Sequence, residues 1–377
     1  LVVPGGVDRS GVDHVIPALL ALVERLARRH DVHVFATRQE PTPGDWPLLG
    51  ARVHNIGMAR GTTRRLSSRF GALHAREPFD LIHAFFGWAG AAAVVVGRRH
   101  RVPVLFHAAG GEFVGLRDIG YGMRCSFRDS IAARIATRGA RRVTVATRYM
   151  QTLAAQFGVA ADVVALGVDR DRWPAAAPRA RERSAPLRLL HVGDVRPVKN
   201  QRMLMASVDR LLDAGLDIQL DAVGLHTADA LPHIPEAQRL GARFTAHGVL
   251  RHSELRALVD RSDLLLVTSH HEAGPLVVLE AAMAGVPTVG THVGHVADWA
   301  LDAAVSVPVS DFTAMAREIL ALAADEPRRI AIAAEAQRKA LAIDADDTAA
   351  AFEHIYSMMT TRERPAIDRD RLPVNGA

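Results

Sequence analysis

Twice along the chain, short β-rich runs alternate with helix-length segments. The two rounds are separated by Trp173-Pro-Ala-Ala-Ala-Pro-Arg-Ala-Arg-Glu-Arg-Ser-Ala-Pro186, which holds three prolines and no apolar periodicity. Alternation of this kind builds parallel strands joined by crossover helices, so each half is expected to be a doubly wound α/β unit. In the first half the expected strands are Asp31–Thr37, Phe79–His83, Val102–His107 and Arg142–Ala146; the clearest helix covers Val12–Arg29, with Ser10 as its cap. In the second half the strands are Leu187–Val192, Asp217–Val223, Leu264–Thr268 and Thr288–Gly290. The helices between them run over Gln201–Ala214, Ser253–Asp260 and Pro275–Ala284. A last helix covers Ala345 to about Met359, and the polar end from Thr360 is expected to be disordered. A length of 377 residues suits two domains. Two such halves enclose a cleft, and open parallel sheets bind ligands beyond the carboxyl ends of their strands.

Composition narrows the function classes. The longest apolar stretch, Ala89–Val96, is far short of the ~20 residues a membrane span needs. Leu1-Val-Val-Pro-Gly-Gly has neither a basic leader region nor a cleavage site. The single cysteine, Cys125, excludes an internal disulfide and a cysteine-built metal site, so a cytoplasmic location is expected. Charge is uneven: residues 1–170 carry 23 arginines against 13 acids, a net of +10, whereas the remainder is net −5. A basic half attracts anionic partners such as phosphorylated acceptors, lipid headgroups or nucleic acid. Arg60, Arg64, Arg65 and Arg69 are spaced to form either a cationic stripe or an ordinary solvated helix face.

The loops after strands should carry the chemistry. Gly193-Asp-Val-Arg-Pro-Val-Lys199 follows a strand, and Lys199 is one of only two lysines against 44 arginines. A compact ammonium there serves either as a point charge on a phosphate, with Arg196 as a second cation, or as an exposed turn residue. After the strand ending at Thr268 comes Ser269-His-His-Glu-Ala-Gly-Pro275, with Pro275 suited to the first helical position and Gly285 to the residue just past the helix. Amides at Gly274, Leu276 and Val277 would then be free to bind phosphate or sugar hydroxyls. Glu280 sits in the apolar series Leu276-Val-Val-Leu-Glu-Ala-Ala-Met-Ala284, where a buried carboxylate needs partners: a ribose diol, or a neighbouring arginine. His83 and His107 stand at expected strand exits, and Gly110-Gly111 after His107 permits close approach of a ligand. The glycine-rich Pro4–Gly11 loop departs from the dinucleotide fingerprint, and no metal-ligand motif occurs.

Taken together, Ser10-Gly-Val-Asp-His14, Asp80-Leu-Ile-His83, Val104-Leu-Phe-His107, Gly167-Val-Asp169, Gly193–Lys199 and above all Glu272-x7-Glu280 with its Gly-Val-Pro287 exit resemble the retaining glycosyltransferases of family 4. The resemblance runs in order along nearly the whole chain. It implies the GT-B fold: two Rossmann-like domains with parallel sheets facing across a cleft. Residues 1–170 would form an acceptor-side domain completed by helix 345–362, residues 171–186 a linker, and residues 187–344 the nucleotide-sugar domain. It further implies that Glu280 binds the donor's ribose, that Lys199 binds its diphosphate, and that Glu272 with the Gly274, Pro275, Leu276 and Val277 segment holds sugar and phosphate. His107 would contact the sugar near the reacting centre, and Gly11 would lie near donor phosphate and acceptor. The sequence departs from the family at Asp194, where arginine is usual and Arg196 is the candidate replacement, and at Ala273-Gly274.

The implied reaction moves sugar from a UDP- or GDP-sugar to an acceptor hydroxyl with retention, in polysaccharide, glycolipid or glycoconjugate synthesis. No metal or cofactor is expected to be required. The expected partners are a carbohydrate or lipid-linked acceptor and an anionic inner membrane face touched peripherally, with no nucleic acid. Two other readings stay open: a non-catalytic nucleotide-sugar-binding protein with a decayed site, and an epimerase or phosphorylase on the same fold.

Overall fold

The computed structural model describes residues 1–182, 184–224 and 235–360, of which 235–237 by backbone alone. The first half folds as a sheet of β1 (Val2–Val3), β2 (His33–Ala36), β3 (Gly44–Leu48), β4 (Ala51–Asn55), β5 (Ile82–Phe85), β6 (Val104–Ala108), β7 (Arg142–Val145) and β8 (Asp162–Val163). Its spatial order is β3-β4-β2-β1-β5-β6-β7-β8, parallel except for the β3–β4 pair. Helices α1 (Pro17–Ala27), α2 (Thr62–His74), α3 (Gly87–His100), α4 (Phe127–Gly139) and α5 (Arg148–Gln156) connect these strands.

The second half holds β9 (Leu187–Val192), β10 (Ile218–Val223), β11 (Phe244–Ala246), β12 (Leu264–Val267), β13 (Thr288–Thr291) and β14 (Val305–Val307), in the order β11-β10-β9-β12-β13-β14, all parallel. Around it lie α6 (Gln201–Asp213), α7 (Pro235–Leu240), α8 (His252–Arg261), α9 (Leu276–Met283), α10 (Gly294–Asp298), α11 (Phe312–Ala324) and α12 (Glu326–Leu341). The last helix, α13 (Ala345–Thr360), returns to the first half and packs on α1. Among the described residues no helix is long and apolar enough to cross a membrane. Strand order in the second sheet reverses between β9 and β12, so the loops after these two strands flank its ligand-binding crevice.

Several sequence expectations shift. The first helix begins at Pro17 rather than Val12, because proline fixes its own φ for a first helical turn and pushes Ile16 to an extended φ of −106°. Ser10 therefore caps no helix; its hydroxyl accepts from the amides of Val12 and Asp13 inside the loop. Strand β5 begins at Ile82 instead of Phe79, which places His83 within the sheet rather than at its exit. The β3–β4 hairpin is absent from the sequence expectation; it turns at Leu49 and Gly50, both with positive φ. Of the four arginines expected to form a stripe, Arg60 precedes α2, and two of the other three are engaged locally, Arg65 donating to the Ile56 and Gly57 carbonyls and Arg69 bound to Asp45. The polar end past residue 360 lies outside the described residues.

The proline-rich segment is a packed strap. Trp173 is wholly buried and donates its indole N–H to the Glu280 carbonyl at 2.8 Å. The Ala176 amide donates to the Met283 carbonyl at 2.9 Å, and the Arg179 guanidinium donates to the Asp260 and Ser262 carbonyls. Gly285, at φ +70°, lets Pro178 lie against the end of α9, since a Cβ there would meet the Pro178 nitrogen at 2.6 Å.

Candidate functional site

The loops after β9 and β12 are stitched to each other before any ligand is considered. The Thr268 hydroxyl donates to the Lys199 carbonyl at 2.8 Å, and the His270 amide donates to the Val198 carbonyl at 2.7 Å. That geometry brings the Lys199 ammonium to 2.6 Å from a Glu272 carboxylate oxygen, which also accepts from the Ser269 hydroxyl at 2.6 Å. Both side chains keep some solvent access. Arg196 instead pairs with Asp194 at 2.6 Å, with both side chains more than half exposed.

Pro275 is the residue before α9 rather than its first member, with φ −67° and ψ 113°. The helix starts at Leu276, and among the described residues the amides of Gly274, Leu276 and Val277 have no backbone acceptor. Such an open first turn carries partial positive charge and favours an anion. One turn on, Glu280 is 3 % exposed, and its carboxylate lies 2.6 Å from Nε2 of His252 on α8. Of the two partners the sequence offered, the arginine is not the one found: an imidazole that packs on the Trp173 ring, centroid to centroid 4.5 Å, takes that place.

The first half closes over this assembly. The Thr147 hydroxyl donates to the Ala273 carbonyl at 2.7 Å, and the Asp298 carboxylate accepts from the Arg148 and Tyr149 amides at 2.7 and 2.8 Å, capping α5 from across the cleft. His271 Nε2 lies 3.3 Å from the Gly110 carbonyl, and its Nδ1 lies 3.4 Å from the Tyr149 hydroxyl. Donation from Nε2–H to the carbonyl leaves Nδ1 to accept from tyrosine. Tyr121 packs on the same imidazole. Burial, reinforced by the charges of Glu272 and Glu112, holds its phenol protonated. Glu112 is buried, accepts from the Gly87 and Gly110 amides at 2.9 and 2.8 Å, and has its carboxyl pKa raised by burial. Sequence reasoning missed Glu112, Tyr121, Tyr149, His252, His271 and Asp298. Two of these had a signal: Glu112, a charge directly after the Gly110-Gly111 pair, and His271, inside the loop that follows β12 and next to Glu272.

The structure therefore brings Lys199 onto Glu272 just before the Gly274–Val277 turn, with Glu280 one helical turn further on and turned to His252, and leaves Arg196 exposed and paired with Asp194. His107 lies elsewhere than at a strand exit: it is inside β6, fully buried, packed against Phe85 and Phe352, with Nδ1 2.9 Å from the Thr144 hydroxyl. Burial lowers its pKa to about 3, and its Nε2 has no partner. Gly11, at φ +66°, occupies a turn closed by its amide on the Asp8 carbonyl. Neighbouring residues of that loop tie to Gln39 and Glu40. Among the described residues no hydrogen bond or ion pair joins residues 8–13 to the second half.

Both halves of the chain match known protein families. Residues 15–169 match the family described as Glycosyl transferase 4-like domain, and residues 176–339 match Glycosyl transferases group 1. The chain is 32 % identical over 222 residues to a glycogen synthase of Mycobacterium tuberculosis, covering 56 % of this chain and 51 % of that protein, so it spans about half the length of this relative. It is 31 % identical over 272 residues to a 2-deoxystreptamine glucosyltransferase of Streptomyces kanamyceticus, covering 67 % and 70 %. Among solved structures, Anabaena HepE in complex with UDP-glucose superposes with a TM-score of 0.72 at 16 % identity, covering 90 % of this chain and 95 % of that one. With both halves matched in order and the Lys199–Glu272 pair set over an open helix start, the chain belongs to the glycosyltransferases, with the GT-B fold.

Proposed function

We propose that the protein transfers a sugar from a UDP- or GDP-sugar to a hydroxyl of a carbohydrate or lipid-linked acceptor, with retention of anomeric configuration, in polysaccharide, glycolipid or glycoconjugate synthesis. The observation that carries this reading is the Lys199–Glu272 ion pair seated above the open first turn of α9. A diphosphate entering there would take the Lys199 ammonium and the Leu276 and Val277 amides, leaving Glu272 free for donor-sugar hydroxyls. Glu280 would turn from His252 to a ribose diol. The similarity of HepE, solved with UDP-glucose, supports a nucleotide-sugar donor.

The chemical task is to stabilise a departing nucleoside diphosphate beside an oxocarbenium-like sugar. Lys199 and the α9 dipole would oppose the negative charge that develops, in a cleft whose two sides the Thr147–Ala273 and Asp298–α5 contacts hold together. Arg196 joins them once it leaves Asp194. His107 is neutral and sealed beneath the site, so we assign it to positioning the Gly110–Glu112 loop rather than to contact with the sugar. Peripheral contact with an anionic membrane belongs to the same reading.

The test is a panel of nucleotide sugars, read by protection from thermal unfolding and by nucleoside diphosphate release. Lys199→Ala and Glu272→Ala are expected to lower turnover by a hundredfold or more, roughly the loss of one charge-stabilising group. Silence of the wild type towards every nucleotide would overturn the proposal, and binding without turnover would leave only a binding protein. The anomeric proton coupling of the product decides retention.

A further inference from the structure

Helix α4 is apolar on both faces. Its inner face sends Ala132, Ala133 and Ala136 into the core, whereas Phe127, Ile131 and Ile135, spaced i, i+4, i+8, stay outside; Phe127 is 84 % exposed and Ile131 43 %. Trp88 (48 %) and Val95 (46 %) of α3 lie beside them, enclosing a shallow groove of about 440 Å³. The charge around this strip is of one sign. Residues 87–101 and 127–141 contain seven arginines, at 98, 99, 101, 128, 134, 138 and 141, and a single acid, Asp129. Asp129 is already engaged by the Ser126 hydroxyl and the Trp88 indole N–H. Among the described residues none of the seven arginines has a carboxylate partner, although exposed arginines elsewhere do, as in Arg9–Glu40 and Arg239–Asp213.

We infer that the α3–α4 face docks on an anionic lipid surface. An apolar stripe flanked by cations is the pattern that lies in a bilayer interface, where the rings and aliphatic chains enter the acyl boundary and arginines meet phosphates. At the far ends of the two helices Arg98, Arg101 and Arg141 line a second cavity of about 330 Å³, sized for a headgroup phosphate. At the near end, Gly87 donates to Glu112 in the candidate site, so Trp88 and Phe127 stand at the cleft rim of the acceptor-side half. Docking by this face would bring the cleft to the membrane at the side where a lipid-linked acceptor arrives. That last step rests on the acceptor proposed above; the surface argument does not.

Flotation with phosphatidylcholine vesicles, with and without phosphatidylglycerol, tests the inference. The wild type is expected to float only with phosphatidylglycerol and to be released by salt. Arg98→Glu/Arg138→Glu is expected to weaken partitioning by at least roughly twentyfold, about fivefold for each arginine lost. Phe127→Ser/Ile131→Ser is expected to lose flotation as well. All variants should keep the wild-type thermal protection by nucleotide, which certifies fold and donor site. Indifference of the wild type to lipid charge, or flotation of both variants as strongly as wild type, overturns the inference. So does a wild-type dimer that Phe127→Ser/Ile131→Ser converts to monomer, since a second copy would then cover the face. Flotation without any nucleotide response would sink the proposed function and leave the docking surface standing.

Discussion

A carboxylate one turn into an apolar helix needs a donor, and at Glu280 that donor is the imidazole of His252. The need was legible in the sequence, because no solvated face exists between Leu276 and Ala284. The donor was not, since His252 lies 28 positions away and only the packing of α8 on the strap brings it near. Glu280→Ala should cost modest stability, about 1 kcal/mol, because the stranded His252 keeps partial access to water. The same change should weaken binding of the donor nucleotide by ten- to a hundredfold, as expected for a lost charged hydrogen-bond acceptor, which calorimetric titration would read. His107, by contrast, was legible as a motif residue but not as a buried one. Its pKa is lowered to about 3, and those of His191 and His295 to about 4, by burial, against an ordinary 6.5. Folded, these rings stay neutral; unfolded, they take up protons below 6.5, so stability is complete above that pH and falls as pH drops towards 4. His191→Gln should flatten this slope by up to about one proton, measured as the difference in urea midpoint between about pH 7 and about pH 5.

At the level of elements, strands and helices whose signals are local were readable, and those decided by neighbours were not. Strand β12 is a continuous apolar run and β9 an apolar run broken at Arg188 and His191, and their assignment needs nothing beyond themselves. The start of α1 was misplaced because Pro17 outranks the apolar residues before it. The β3–β4 hairpin escaped notice because Pro47 argues against a strand, yet it sits on the sheet edge where its missing amide costs nothing. The loop between β12 and α9 shows what such neighbours impose. A Cβ on Gly274 would lie 2.6 Å from the Ala146 Cβ of the opposite half, closer than two such atoms tolerate. Gly274→Ala should therefore prise the halves apart at the Thr147–Ala273 contact. Turnover is expected to fall at least tenfold, as misplacement of about an ångström does to a reacting geometry. Nucleotide binding, built on α9 and Lys199 within one half, should change by less than about threefold, well under the effect of losing a hydrogen bond to a charged group. Equal losses in both would show that the first half contributes to donor binding.

Across the whole molecule, the chain passes between its halves twice, at residues 164–172 and 341–345, and the two passages are locked together. Gly167 lies so close to the second passage that a Cβ would meet the Ile343 carbonyl at 2.0 Å, and its amide donates to the Thr348 hydroxyl at 2.9 Å. Arg25 of α1 is buried and donates to Asp169 on the first passage and to Asp346 on α13 at 2.9 to 3.2 Å. Gly167-Val-Asp169 was visible in the sequence only as a short motif before the proline-rich strap. Its physical role, closing a three-way contact between α1, the crossing and α13, depends on partners 144 and 321 positions away from Arg25. Removing the arginine would leave the poorly exposed Asp169 carboxylate with only the Arg172 guanidinium and the Asp171 amide, so Arg25→Met should cost about 2 kcal/mol in urea unfolding, as for hydrogen bonds lost from a charged group. Apolar contacts of Phe352, Ile355 and Met359 with the first-half core remain, so α13 should loosen rather than dissociate. Limited proteolysis near residues 341–345 should accordingly quicken in the variant. An unchanged urea midpoint together with unchanged cleavage would mean that this apolar face alone holds the crossing, and that the ion triad sets only its register.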